Sequence, residues 1–282
     1  MFISPMLPEQ AEQSFDSEEY VFEPKFNGHR LILSFINGQV NMYTKHNNAV
    51  TRQYPELFHV PVDNGMDVVF DGEAVMVRDD GTHDFDGLIQ RFQLSKLPKI
   101  KEAARTHPVH YFVFDILYLN GQSLTHLPLI ERKRLLAQIL QPNGFYHLAM
   151  SIEQQGKALF QFIEDRGLTG IVAKRKNSTY ASARSDEWLA IRNYQYTEVA
   201  ICGYKRKEFG WLIAHDGQTV GCIDGDIPAD VKQTFYTAAS SMITGQDKRF
   251  VYVKPTLKVK VRFRDWTSSN MLRSPEFVSF AG

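Results

Sequence analysis

Apolar and polar positions alternate with a period of two through "RLILSFINGQVNMYTKH", residues 30–46, and the alternation turns over at Asn37-Gly38. Both residues of that dipeptide tolerate positive φ, so the segment reads as a β-hairpin. "DVVFDGEAVMV" (67–77) and "HYFVFDILYL" (110–119) are near-continuous apolar runs of strand length and read as buried strands. "LPLIERKRLLAQIL" carries Leu135, Leu136, Ile139 and Leu140 at helical spacing and opens at Pro128, a residue suited to the first helical turn. A second helix is expected to start at Ser151, with Gln154 completing a capping box, and to stop at Gly167. After Asn193 the pattern changes to short strands, with one helix near "PADVKQTFYTAASSM" and a final alternating strand in "LKVKVRFRDW". No internal repeat or low-complexity linker interrupts it.

The 282 residues suffice for one large or two ordinary domains. No apolar run reaches the ~18 residues needed to cross a bilayer, and the proline-broken, acidic N-terminus is unlike a signal peptide. Two cysteines, Cys202 and Cys222, are too few for a disulfide framework or a structural zinc site. A cytoplasmic protein with no membrane partner is the expectation. Net charge is zero, but residues 194–282 hold 12 Lys+Arg against 9 Asp+Glu, so +3, leaving 20 against 23, or −3, for residues 1–193.

Five short segments carry residues that nucleotide chemistry needs. "EPKFNGHR" places Lys25 between a strand end and a glycine, where backbone can approach a ligand closely. "FDGEAV" puts Asp71 and Glu73 on one face of a strand, and "FVFDIL" does the same for Phe112 and Phe114. "GIVAKRK" ends an apolar run in Lys174, and "WLAIRN" ends another in Arg192. Taken singly, each reads at least as well as a turn acid, a core aromatic or a strand-end cation.

Their order resembles the ATP-dependent DNA ligases, members of the covalent nucleotidyltransferase superfamily, and is closest to the small two-domain ligases of bacteria and their phages. The matching series is Lys25-x-Asn-Gly-x-Arg30, Asp71-Gly-Glu73, Phe112-x-Phe114-Asp115, Gly170-Ile-Val-Ala-Lys174 and Trp188-Leu-x-Ile-Arg192. "TKHNNAVTRQYPEL", "PLIERKRLL" and "VKVRFRDWTSSNMLRSPEF" extend the likeness over essentially the whole chain. The resemblance implies an α+β fold: a nucleotidyltransferase domain of antiparallel sheets with helices, ATP-grasp-like, over residues 1–193, then an OB-fold β-barrel over 194–282.

It also implies roles. Lys25 would be the nucleophile that takes AMP from ATP. Glu23 matches the position facing the adenine edge, Phe114 the stacking aromatic, and Arg30 with Glu73 the ribose contacts. Lys174 and Arg192 match cations that neutralise the α-phosphate. Glu73 and Asp71 are the carboxylates left for Mg²⁺ or Mn²⁺, with Asp71 open equally to simple support of the strand turn, and Lys45 aligns with a contact to the 5′-phosphate of the nick. The partner is nicked double-stranded DNA, bound by a monomer. Lys258, Lys260, Arg262 and Arg264 share one face of the last alternating strand, with no acid between them, and suit a phosphate backbone.

The chain departs from the family pattern at several points. Asn27 stands where the family has Asp, Thr169 where it has Glu, and Ala190 and Arg192 where it has lysines; Lys45 replaces an arginine. A weakened ligase, a relative that binds nucleotide and nicked DNA without sealing, and deliberate substitution all fit these changes. An RNA ligase or capping-type enzyme is a further alternative. The C-terminal segment argues against capping, and no N-terminal extension of the NAD⁺-dependent kind is expected.

Overall fold

The computed structural model describes residues 1–281, and the chain divides into two compact units, Met1–Asn193 and Tyr194–Gly282. In the first unit the chain runs β1 (Leu7–Ala11), β2 (Ser17–Pro24), β3 (His29–Ile36), β4 (Gln39–Thr44), β5 (Val68–Val75), α1 (Phe85–Phe92), α2 (Leu97–Thr106) and β6 (His110–Leu119). It continues through β7 (Gln122–Ser123), α3 (Leu129–Ile139), β8 (Tyr146–Leu148), β9 (Ile152–Gln154), α4 (Gly156–Asp165), β10 (Gly170–Arg175) and β11 (Arg184–Arg192).

Two sheets result. One has five strands in the order β1-β11-β10-β2-β9, the other six in the order β4-β3-β5-β6-β7 with β8 added beside β6. Period-two alternation decides what each face meets. Phe22, Ile171, Ala173 and Ile191 turn outward from the first sheet and bury against Leu159 and Ile163 of α4. Leu31, Leu33, Phe70, Tyr111 and Val113 cover the outer face of the second sheet, joined by Leu88 of α1 and Leu136 of α3. Between the sheets Val21, Ile32, Val69, Phe114, Leu117 and Trp188 form a third apolar cluster.

The hairpin turns at Asn37 (φ 51°) and Gly38 (φ 72°), the double positive φ its sequence calls for. The helix expected from Ser151 begins later. Residues 152–154 instead join the first sheet beside β2, with Ile152 opposite Phe22, and α4 starts at Gly156. Its first turn is satisfied from far away in sequence, the Lys157 amide donating to Oδ1 of Asp16 at 2.9 Å. The Ser151 capping box therefore does not form, because strand pairing claims the residues it would have used.

The second unit is β12 (Gln195–Lys205), β13 (Trp211–His215), β14 (Gln218–Ile223), α5 (Ala229–Ala239), β15 (Ile243–Gln246), β16 (Phe250–Val253), β17 (Lys258–Phe263) and β18 (Glu276–Phe280). These seven strands make one curled antiparallel sheet, with the long β12 bridging β13, β16 and β17. Val259, Val261 and Phe263 point into its core with Trp211, Ile213 and Phe235 of α5. Among the described residues no helix is long and apolar enough to cross a membrane.

Candidate active site

A cavity of about 260 Å³ opens on the inner face of the five-stranded sheet. Its floor follows from the same alternation. Glu23 of β2, Val172 and Lys174 of β10, and Trp188, Ala190 and Arg192 of β11 all project into it, while Arg30, Lys45, Glu73 and Phe114 enclose it from the second sheet's side. The sequence-derived residues Glu23, Lys25, Arg30, Lys45, Glu73, Phe114, Lys174 and Arg192 therefore line one cavity, although they are scattered from position 23 to 192.

Strand register orders the cavity end to end. Gly170 lies opposite Arg192, Ile171 opposite Pro24, Val172 opposite Ala190 and Lys174 opposite Trp188. Lys25, whose amide donates to the Gly170 carbonyl at 2.8 Å, thus shares one end with Arg192. Lys174 belongs to the other end, and there it is occupied. Its Nζ lies 2.7 Å from Oε2 of Glu23, 4.0 Å from the Phe114 ring centre and 4.2 Å from that of Trp188. Lys133 of α3 contacts the other oxygen of Glu23. The matched α-phosphate cation is therefore a partner of Glu23 in this structure.

Two cations and one carboxylate packed away from water perturb one another. Burial alone would raise the Glu23 carboxyl, but Lys133 and Lys174 outweigh it and hold it below the usual range. Burial pulls Lys174 down to about 8; Glu23 opposes that shift and Lys133 adds to it. Glu73 is raised, first by burial and also by Asp71, against the charges of Lys25 and Arg30.

Phe114 reaches the cavity through an irregularity in β6. Asp115 faces Asp71 while Val113 faces Gly72, so Phe114 is the extra residue of a β-bulge and its ring is re-aimed. That ring is only 6% exposed and already has Arg30 4.4 Å from its centre as well as Lys174. A base stacking there must displace one of these cations. Phe112, on the same face, is stacked instead on Phe26 at 4.4 Å.

Of the two places open to Asp71, its contacts match the structural one. Its carboxylate grips Arg30 with two bonds, Nε to Oδ1 at 2.5 Å and Nη2 to Oδ2 at 2.6 Å, and also accepts from the Tyr180 hydroxyl. With no exposed surface and both oxygens already engaged, it braces Arg30. Glu73 remains, and among the described residues no three His, Cys, Asp or Glu side chains gather as a metal cage. One carboxylate fits a Mg²⁺ that arrives on substrate phosphates, since that ion commonly takes one or two carboxylates and keeps the rest of its shell from water and phosphate.

Asn27 and Thr169 do not line the cavity. The Asn27 amide donates to Nδ1 of His83 at 3.2 Å, and the Thr169 carbonyl accepts from the Asn193 amide at 3.0 Å. Residues that the sequence did not single out also contribute: Lys133 through Glu23, Tyr180 through Asp71, and Gln10 of β1, whose Oε1 accepts from Nε of Arg192 at 3.0 Å. None carries a local signal, because each is brought in by a distant strand or helix.

The cationic face of the second unit is only partly free. Lys258, Lys260 and Arg264 are exposed, but Arg262 is bonded to Oε2 of Glu276 at 2.7 Å and lies 4.4 Å from the Tyr194 ring centre. Glu198 of β12 stands directly opposite Lys260. The expectation of a face without acids holds along β17 and fails across it, because neighbouring strands supply counter-charges that one strand's sequence cannot reveal.

A family model described as the ATP dependent DNA ligase domain matches residues 5–192. A SPbeta prophage-derived DNA ligase-like protein, LigB of Bacillus subtilis, is 36% identical over 285 residues, covering 99% of both chains. A multifunctional non-homologous end joining protein, LigD of Mycolicibacterium smegmatis, is 26% identical over 97% of this chain, which spans 38% of that larger protein. Among solved structures, a Lig E DNA ligase aligns over the full length of both chains with a TM-score of 0.68 at 16% identity. A mycobacterial DNA ligase D complexed with ATP and MES aligns with a TM-score of 0.60 at 23% identity, over 99% of this chain and 94% of that one. At these identities the two structures speak for the fold: a nucleotidyltransferase unit followed by an OB-fold.

Proposed function

The chain belongs to the ATP-dependent DNA ligase family, a class of enzymes, and on that premise we propose that it seals nicks in duplex DNA through a lysyl-AMP and then a DNA-adenylate. The observation that carries this reading is the convergence of Lys25, Glu23, Arg30, Glu73, Phe114 and Arg192 on one cavity. In the first step the neutral Lys25 amine attacks the α-phosphorus of ATP. A P–N bond forms, the P–O bond to pyrophosphate breaks, and the amine sheds a proton. An oxygen of the nick's 5′-phosphate then attacks the same phosphorus and releases the lysine. The 3′-hydroxyl finally attacks the 5′-phosphate and expels AMP.

Arg192, at the same end of the cavity as Lys25, is assigned to the α-phosphate, and Lys45 to the nick phosphate. Glu23, an ionised acceptor held by two lysines, suits the amino edge of adenine. Arg30 and Glu73, neighbours across the β3–β5 pairing, are assigned to the ribose. Glu73 would hold a Mg²⁺ or Mn²⁺ arriving with the nucleotide, and the ion would supply charge neutralisation at the phosphates. Asn27, Thr169 and Ala190 remove two carboxylates and one cation from the family pattern, and these favour a second reading, a protein that binds nicks without being adenylylated.

Intact mass after incubation with ATP and Mg²⁺, beside GTP and NAD⁺, separates the two readings. The ligase reading expects one AMP from ATP alone, its complete loss in Lys25→Ala, and sealing of a nicked duplex. An adduct that survives in Lys25→Ala overturns the assignment of the nucleophile; absence of any adduct favours the second reading.

A further inference from the structure

The loop that carries Lys25 is fastened residue by residue to different parts of the first unit. The Lys25 amide is bonded to Gly170 of β10, and the Phe26 ring is stacked on Phe112 of β6 at 4.4 Å with only 20° between the planes. The Asn27 amide donates to Nδ1 of His83 at 3.2 Å. Gly28 lies so close to β5 that a Cβ there would come within 2.3 Å of the Ala74 carbonyl oxygen. Three of these anchors belong to sheet strands. The remaining one is a side chain on the connection after β5, where Val77 and His83 pair across a turn that Gly81 makes at φ 82°.

We propose that His83 is a positioning residue for the adenylylation step, holding the backbone of the Lys25 loop through Nδ1. This rests on the reading of Lys25 as nucleophile. An acceptor at Nδ1 fixes the tautomer: the proton of the neutral ring sits on Nε2. Burial, followed by the charges of Lys25 and Arg78, holds His83 down to about 4, so the lone pair that receives the Asn27 amide persists at physiological pH. The ring lies 5.9 Å from the Phe26 ring, and the backbone that carries it is held by Arg78, which bonds the His83 carbonyl at 2.7 Å and Asp84 Oδ1 at 2.8 Å. Phe26 is itself backed by Phe112, and Phe112 by His147 at 5.0 Å. Without the Nδ1 acceptor, the Asn27 amide loses this partner and the turn between Lys25 and Gly28 gains freedom. In-line attack on phosphorus is sensitive to such freedom, because misplacement by about 1 Å costs on the order of a hundredfold in rate.

The test is single-turnover adenylylation by the full chain at saturating ATP and Mg²⁺, read as AMP mass added over time. Alongside it, the affinity for a non-transferable ATP analogue and the melting temperature of each variant are measured. His83→Ala is expected to slow adenylylation by roughly ten- to a hundredfold while leaving analogue affinity within about threefold. His83→Asn, whose Oδ1 falls where Nδ1 was, is expected to recover most of the rate. His83→Gln, whose acceptor lies one bond further out, is expected to stay slow although its melting temperature matches that of the asparagine variant. If His83→Ala reacts at the parent rate, or the asparagine and glutamine variants are equally slow, the inference is wrong. Should His83→Ala fail to fold, the asparagine–glutamine comparison decides. A parent that takes up no AMP, or a Lys25→Ala variant that does, defeats the nucleophile assignment and this inference together, whereas a reactive parent with an unaffected His83→Ala defeats this inference alone.

Discussion

Replacing Asp71 by asparagine separates a structural brace from a metal ligand. The side chain keeps its shape and one carbonyl oxygen but loses the charge opposite Arg30, whose side chain is 16% exposed while that of Asp71 is fully buried. Removing one partner of a buried ion pair typically costs about 3–5 kcal/mol, because the other charge is left uncompensated. The retained carbonyl places Asp71→Asn toward the lower end, about 3 kcal/mol, which is more than a hundredfold in an opening equilibrium. The loss should appear in native-state hydrogen exchange of the β3 and β5 amides, which reads the first unit apart from the second. Protection there should fall by about two powers of ten, with ATP affinity reduced as Arg30 loses its fixed position. The Mg²⁺ concentration giving half-maximal adenylylation should move little. Unchanged protection combined with a tenfold or greater rise in that concentration would refute the brace and restore Asp71 as a metal ligand.

Phe114→Ala should cost about 3–5 kcal/mol of stability in the first unit as well as ATP affinity, since its ring packs between the sheets; a variant that loses affinity at parental stability would show a ring serving the ligand alone. Lys174 binds fewer protons folded than unfolded between about 8 and its ordinary 10.5, so its contribution makes the parent gain stability as pH rises from 8 to 10 relative to Lys174→Met. A difference between the two proteins that is flat or falling across that window contradicts the burial argument. In the second unit, replacing Lys258, Lys260 and Arg264 by glutamine should lower the salt slope of nicked-DNA binding by at most about 3, and Glu276→Gln should raise it by about 1 as Arg262 is released. If neither change alters the slope, this face is merely solvated.

Local features of the fold were legible wherever local physics decides them. Asn37-Gly38 makes the hairpin because its backbone needs positive φ twice, and Pro128 precedes α3 as its apolar spacing requires. Residues 151–154 were misread because a serine with a glutamine three positions on looks like a cap, whereas pairing with β2 is decided by Phe22, about 130 positions away. The cavity's residues could be picked out through the family resemblance, but not the relations among them. That Lys174 is held by Glu23 depends on Lys133, on α3, and that Phe114 enters the cavity depends on a bulge whose register is set by β5. Asp71 illustrates the limit most directly. Two carboxylates at i and i+2 suggest a metal in sequence, yet the partners that claim Asp71, Arg30 and Tyr180, lie 41 and 109 positions away.

β1 pairs in parallel with β11, Leu7 beside Arg184 and Ala11 beside Ile191, so the earliest strand of the first unit meets its last. A ribosome making this chain at about 5–20 residues per second therefore holds Lys25 outside its exit for some ten to thirty seconds before the strand bearing Arg192 emerges. For most of that time β2 lacks β10, and throughout it β1 has no partner among the described strands but β11, still unmade. Closure over such sequence distance is slow in its own right. The nucleophile's half of the cavity therefore exists as an open sheet edge through most of synthesis, and competence to bind nucleotide should appear late and all at once. Nascent chains stalled before residue 184 should be inert toward ATP and prone to pair with one another.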